Sequence, residues 1–265
     1  MTDRRGQAAE FLRQAERLVA PIGPLSRTWP DLDLADAYAI QRENVVRRTA
    51  AGATVVGHKV GLTAVAMQQL LGVEEPDFGH LLDEMVHRDG ATVPAGRYCR
   101  PRIEPEICFR LARPLRGPGV TAQDVLAATD GVAPALEIVD SRIRDWEITL
   151  VDTVADNASS AGLVHGAWTP IERVPDLAAE TVELFVDGEP VASGVGAAVL
   201  GQPAEAVAWL ANTLAAFDAE LQPGHLVLPG AMTTAPFVTA GQKIEAVFGK
   251  LGPVSVTFAP GVSHE

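Results

Sequence analysis

The sequence predicts an α+β fold rich in antiparallel or mixed sheet. Three observations predict it: a helical opening, a long succession of short apolar runs punctuated by Gly and Pro, and only a few helices set between them. The regular strand-helix alternation of a doubly wound parallel sheet is missing. With 265 residues, 47% hydrophobic and 21% charged, the chain is long enough to bury a sizeable core.

From about Asp3 to Ala20, Ala8, Leu12, Ala15 and Val19 recur at helical spacing until Pro21, Gly23 and Pro24 stop the run. A second helix is predicted after Asp33, a good N-cap, with Leu34, Tyr38 and Val45 on one side and an end near Gly52. Residues 1–52 are therefore expected to form a helical N-terminal arm, and residues 53–265 a catalytic domain. From Thr54 the pattern changes. TVVGHKVGL, RIEPEICFRL, APALEIVD, TVELFVDGEPVASG, HLVLPG, KIEAVFG and VSVTF read as strands. Asp187-Gly188 marks a hairpin, because both central positions of such a turn need positive φ. Interposed helices are predicted at about Thr63 to Leu71, Thr121 to Thr129 and Pro203 to Phe217.

Composition excludes several classes. The formal charge is -13, with 34 acidic against 21 basic residues and no basic block, which argues against nucleic acid as a partner. The two cysteines, Cys99 and Cys108, give neither a disulfide framework nor a zinc spacing. No stretch approaches the roughly 18 apolar residues of a membrane span, and the N-terminus lacks a signal peptide's apolar core. The expected location is the cytoplasm. No G-x-G-x-x-G or P-loop motif occurs.

The chemistry concentrates in acidic residues on strands. In Arg102 to Leu111 the period of two sets Ile103, Pro105, Ile107, Phe109 and Leu111 on one face and Glu104, Glu106 and Cys108 on the other. Two carboxylates on one face call for a cation if they are buried; on the solvated face of an edge strand, which Pro105 also permits, they need none. Glu137 lies in Ala133-Pro-Ala-Leu-Glu-Ile-Val139 with apolar neighbours on both faces. Burial there requires a partner, either a hard cation such as Mg²⁺ or Mn²⁺ shared with the other two carboxylates, or an arginine such as Arg102 or Arg142. Lys59 shares its strand face with Gly57 and Gly61, which leaves room for a ligand beside the ammonium; the alternative is a snorkelling surface lysine. His58 faces the other way and reads as structural.

Several motifs in order resemble the 2-keto-4-pentenoate hydratase family, the hydratase/decarboxylase branch of the fumarylacetoacetate hydrolase superfamily. They are GHKVGLT (57–63), EPDFGHLLDEM (75–85), RPRIEPEI (100–107), PALEIVDSRIRDW (134–146), DTVADNASS (152–160), GAAVLGQP (196–203) and VAWLAN (207–212). The resemblance runs from about Asp33 onward. It implies the superfamily's mixed β-roll, usually in symmetric homo-oligomers, and a divalent ion, Mg²⁺ or Mn²⁺, held by Glu104, Glu106 and Glu137. It also implies catalytic roles for Lys59 and Asp77. Asp156, Asn157 and Ser160 are implied near the pocket, and the loop Gly230, Ala231, Met232 as a substrate contact. Pro105 stands where Ala is common in the family.

The implied reaction is hydration of a 2-hydroxy-2,4-dienoate, of the 2-hydroxypenta-2,4-dienoate type, to a 4-hydroxy-2-oxo acid in the breakdown of aromatic compounds. A small 2-oxo or 2-hydroxy acid is then the partner, and no organic cofactor is needed. The competing reading is a 2-oxo-3-enedioate decarboxylase working through the same enolate. An acylpyruvate hydrolase or a non-catalytic relative are more distant alternatives; no His/Glu pair stands out for hydrolysis, and all three carboxylates and the lysine are present.

Overall fold

Asp3 opens the first helix, α1 (Arg4–Leu18), by accepting a hydrogen bond from Gly6 N, and Val19 closes it in a left-handed conformation. The computed structural model describes residues 3–64, 68–69 and 72–260. A single turn, α2 (Leu25–Thr28), leads to Asp33, which forms a capping box with Asp36 at the start of α3 (Leu34–Ala50). Both predicted helices are thus present close to their expected limits.

These helices are packed into the rest of the chain. Ala8, Leu12, Leu25, Ala37 and Ile40 form one apolar cluster with Ile143, Val154 and Ala155. Gln41, buried on α3, donates to the carbonyls of Phe78 and Val154. Ser26 bonds Asp152 through both its backbone N and its hydroxyl. The N-terminal segment therefore braces the backbone on either side of the site residues.

The larger sheet has the order β2-β1-β11-β5-β6-β7-β3. Its strands are β1 (Val55–Gly61), β2 (Asp77–Leu82), β3 (Val86–Arg88), β5 (Arg102–Leu111), β6 (Thr129–Val139), β7 (Ser160–His165) and β11 (Leu226–Leu228), with β8 (Thr169–Pro170) paired to β6. The smaller sheet has the order β10-β9-β12-β13-β4, built from β4 (Ala91–Pro94), β9 (Thr181–Val186), β10 (Glu189–Val195), β12 (Lys243–Phe248) and β13 (Gly252–Ala259). Parallel pairs (β1 with β11, β3 with β7, β13 with β4) sit among antiparallel ones, so the sheets are mixed as predicted. Asp187 and Gly188 both take positive φ in the β9-β10 hairpin.

The main core lies between the sheets. Ile103, Ile107 and Phe109 of β5 and Leu136 and Ile138 of β6 meet Leu184, Ile244, Val256 and Phe258, with Val207 and Leu210 of a helix packed alongside. Each fully buried side chain of this size contributes about 1.5–3 kcal/mol. The opposite face of β5 is thereby committed to Glu104 and Glu106.

Two predicted helices appear as α4 (Ala122–Ala128), boxed by Thr121 and Asp124, and α6 (Pro203–Leu214), with Pro at its first turn. Between them α5 (Leu150–Ala155) was not predicted; six residues are too few to show a period. Strands β2 and β7 were also not predicted, since Gly79-His80 and the Ser160-Ala-Gly start interrupt their alternation. The helix expected over Thr63 to Leu71 falls largely outside the described residues. Both cysteines are free.

Candidate metal centre and active site

Glu104 on β5 and Glu137 on β6 are direct cross-strand partners, and Glu106 follows two residues along the same face. One oxygen from each of the three carboxylates falls within 4.8 Å of the others. Glu106 and Glu137 are fully buried, Glu104 partly. The arrangement excludes the solvated edge-strand reading of the Glu104–Glu106 pair, because β5 is an interior strand. Pro105 costs no ladder bond there. Its carbonyl accepts from Met232 N at 3.0 Å, so its imide nitrogen points to the same side, toward the 230–238 segment and away from β6.

Three like charges at this spacing need compensation. Glu106 Oε2 accepts from Gly230 N at 2.7 Å, but Oε1 has no partner, and neither oxygen of Glu137 is hydrogen-bonded. Burial, then repulsion by Glu137 and Glu104, pushes the Glu106 carboxyl well above its ordinary range. Glu137 is also raised by burial, with Lys59 opposing and Glu104 adding to the shift. Buried carboxylate oxygens left open toward a shared point fit a hard divalent cation, whose preferred ligands are oxygens.

Lys59 reaches this group from β1. It is 4% exposed, and its Nζ is 3.4 Å from Glu137 Oε2. Burial alone would lower its pKa; Glu137, Glu104 and Asp77 outweigh that and hold it above the usual value, so the ammonium stays charged. The snorkelling reading is excluded. Asp77, at the start of β2, pairs with Gly61 across the strands. A Cβ on Gly61 would lie 2.2 Å from Asp77 Oδ1 and 3.4 Å from Lys59 Nζ, so this glycine leaves the space in which the two side chains meet. The room expected beside Gly57 is not there: a Cβ at that position would be 1.8 Å from the Leu226 carbonyl of the neighbouring parallel strand. Asp77 is buried, Oδ1 has no partner, and burial raises its carboxyl despite Lys59.

The remaining sequence candidates separate. Ser160 is 3% exposed, its hydroxyl has no hydrogen-bond partner, and it lies beside Glu137. Gly230 takes a positive φ of 124°, and a Cβ there would be 2.2 Å from Thr63 Oγ1; this close approach brings its N–H to Glu106. Thr63, buried at this contact, is a site neighbour that sequence reasoning did not single out. Ala231 is half-buried, while the Met232 side chain belongs to the main core and only its backbone borders β5.

Asp156 and Asn157 are engaged in structural hydrogen bonds. Asp156 Oδ1 accepts from Arg142 Nε at 2.6 Å, Oδ2 from Arg142 N at 2.9 Å, and its carbonyl from Arg142 Nη2 at 2.6 Å. Arg142 is thereby the partner of Asp156 and not of Glu137. Asn157 exchanges two hydrogen bonds with the backbone of His80 and fastens the turn to β2. Three left-handed residues, Asn157, Ala158 and Ser159, make the tight turn that delivers Ser160. Asp156→Ala, which leaves a buried guanidinium without its carboxylate, is expected to cost about 3–5 kcal/mol in denaturant unfolding. Unchanged stability in that experiment would show that the pair does not support the turn.

Against this geometry stand the known proteins. Residues 54–259 match the family model of the fumarylacetoacetate (FAA) hydrolase C-terminal domain. The chain belongs to the fumarylacetoacetate hydrolase family. A 2-keto-4-pentenoate hydratase of Paraburkholderia xenovorans (strain LB400) is 48% identical over 255 residues, which are 96% of this chain and 94% of that protein. A 2-oxo-hept-4-ene-1,7-dioate hydratase of Escherichia coli is 40% identical over 256 residues, covering 94% of this chain and 96% of the relative. Among solved structures, 4-oxalocrotonate decarboxylase from Pseudomonas putida G7, complexed with magnesium and adipate, superposes with a TM-score of 0.94 at 38% identity, covering 97% of this chain and 98% of that one. The fumarylacetoacetase-like fold expected from the motifs is the observed fold, and these relatives include both hydratases and a decarboxylase.

Proposed function

We propose that this family member is a metal-dependent hydro-lyase that adds water to a 2-hydroxy-2,4-dienoate of the 2-hydroxypenta-2,4-dienoate type, giving a 4-hydroxy-2-oxo acid in aromatic catabolism. The observation that carries the proposal is the convergence of Glu104, Glu106 and Glu137, with unpartnered oxygens, beside the buried Lys59 and Asp77. The family relatives named as hydratases, and the neighbour complexed with magnesium, support it. Residues 53–265 carry the chemistry on this reading, with residues 1–52 bracing it.

Glu104, Glu106 and Glu137 would hold Mg²⁺ or Mn²⁺. A bound divalent ion supplies positive charge for the substrate carboxylate and 2-oxygen, which favours build-up of negative charge on that oxygen. The chain's own groups handle protons and water. Ketonisation moves a proton from the 2-hydroxyl to C5; addition then places the water oxygen on C4 and a proton on C3, so one water is gained and nothing is released. The Lys59 ammonium, charged and desolvated, is suited to donate to the 2-oxygen. Asp77, with Oδ1 free and its carboxyl raised, is suited to take a proton from water and return it. Ser160 and the backbone at Gly230 and Ala231 line the place where substrate would lie.

Decarboxylation of a 2-oxo-3-enedioate is the second reading, favoured by the TM-score of 0.94 to a decarboxylase. One experiment separates them. Metal-loaded protein is incubated with freshly generated 2-hydroxypenta-2,4-dienoate and separately with 2-oxohex-3-enedioate, following ultraviolet loss and product mass with an EDTA control. The expected result is gain of one water on the first substrate, suppressed by EDTA. Loss of CO₂ from the second, without hydration of the first, would make the chain a decarboxylase.

We further read the chain as an intracellular homo-oligomer. The free cysteines support the first part. Val191, Val195 and Val247, each at least 40% exposed on the smaller sheet, support the second. Among the described residues no helix is long and apolar enough to cross a membrane.

A further inference from the structure

Arg102 begins β5 two residues before Glu104, so the alternation of the strand puts it on the face that carries Glu104 and Glu106, about 7 Å further out. It was one of two arginines offered by the sequence as partners for Glu137. The structure gives that contact to Lys59 and gives the other arginine, Arg142, to Asp156. Among the described residues Arg102 makes no salt bridge, and its Nε is buried without a hydrogen-bond partner.

Its guanidinium is nonetheless held in place. The guanidinium carbon lies 4.1 Å from the centroid of the Phe237 ring and 4.9 Å from that of Trp146. Contacts to ring faces fix the plane of the fork while leaving its in-plane N–H donors open. The two rings are themselves anchored by backbone. Phe237 bridges Arg102 directly, Ile103 N donates to Pro236 O, and Val238 N donates to Pro101 O. Trp146 Nε1 donates to Arg100 O at 3.1 Å. Arg100 stacks on the same Phe237 ring at 4.3 Å but is paired with Asp145.

Charge points the same way. Four carboxylates, Glu104, Glu106, Glu137 and Asp77, face two cations, Lys59 and Arg102, and a divalent ion cancels the difference. An anionic substrate arriving at such a neutral site needs a cation with free donors. Lys59 already faces Glu137, whereas the Arg102 fork is open.

We propose that Arg102 receives a carboxylate of the substrate side-on, through Nε and one terminal nitrogen, with Phe237 and Trp146 setting the plane of the guanidinium. The inference rests on the reading of the site as one for 2-oxo or 2-hydroxy acids. The carboxylate has two possible sources, the one next to the 2-oxygen or the far one of a diacid, and the same experiment tells them apart.

Binding of 2-oxopentanoate and of 2-oxohexanedioate to Mg²⁺-loaded protein is measured by calorimetry for wild type, Arg102→Met and Arg102→Lys. In parallel, KM and kcat are measured with 2-hydroxypenta-2,4-dienoate. Met keeps the apolar stem against the rings; Lys keeps the charge without the planar fork. Arg102→Met is expected to weaken at least one acid by tenfold or more, Arg102→Lys to recover little of it, and both to melt within a few degrees of wild type. Equal weakening of both acids, with KM raised more than kcat falls, assigns the carboxylate next to the 2-oxygen. Weakening of the diacid alone assigns the far one. Wild-type affinities for both acids in Arg102→Met overturn the inference and leave the functional reading standing. Failure of wild type itself to bind either acid overturns both.

Discussion

Glu106→Gln is expected to abolish turnover and at the same time to raise the melting temperature of the metal-free protein. Glu106 is fully buried and grouped with Glu137 and Glu104. The amide oxygen of Gln still accepts from Gly230 N, and its NH₂ now donates toward Glu137, whose oxygens have no hydrogen-bond partner. The same change removes one of three charges a divalent ion would bind. Loss of even an indirect support typically costs 10–100-fold in metal affinity, so a direct ligand should cost at least about 100-fold. Mg²⁺ at about 100 times its Kd stabilises wild type by about 2.7 kcal/mol, and that metal-dependent rise in Tm should vanish in the variant.

The pH dependence has a definite sign. Because the folded Glu106 carboxyl titrates above its unfolded value, its ionisation opposes folding as pH rises. The advantage of the Gln variant over metal-free wild type should therefore grow as pH rises. It should shrink as pH falls toward about 4, where the unfolded carboxyl also protonates. A variant that keeps full turnover after metal removal would sink the three-carboxylate centre.

How much of this was legible in the sequence follows from the range of the interactions involved. The period of two in Arg102 to Leu111 placed Glu104 and Glu106 together, and the apolar surroundings of Glu137 demanded a partner; strand pairing then made Glu104 and Glu137 neighbours. Local rules sufficed there. The N-caps Asp3, Asp33 and Thr121 were readable for the same reason, each bonding within its own helix. What local pattern could not supply was who fills a space. Gly57 and Gly61 look alike on β1, yet the first is required by the backbone of β11 and the second by the Asp77 side chain. The segment around Asp156 matched the family motif, but its carboxylate is consumed by Arg142, a contact visible only once β6 and the turn before β7 are brought together. Arg102 was misjudged similarly: its neighbours Phe237 and Trp146 are far apart in sequence.

Lys59→Met is expected to lower kcat by about 10²–10⁴-fold, the range for a positioned proton donor, while metal binding persists. Two effects of the lysine have to be separated for this to mean catalysis. In the metal-free protein the ammonium is the counter-charge of Glu137, 3.4 Å away, and its loss leaves buried carboxylates uncompensated at a cost of about 3–5 kcal/mol. A divalent ion supplies the missing positive charge. The metal-induced rise in Tm should therefore be larger in Lys59→Met than in wild type, the reverse of Glu106→Gln. If lysine were only a counter-charge, the metal-saturated variant would recover both stability and rate. Recovery of stability without recovery of rate places Lys59 in the chemistry, because the ion can replace its charge but cannot donate a proton. Recovery of both would leave Asp77 as the proton-handling group that remains on this wall, and would return Lys59 to a structural role.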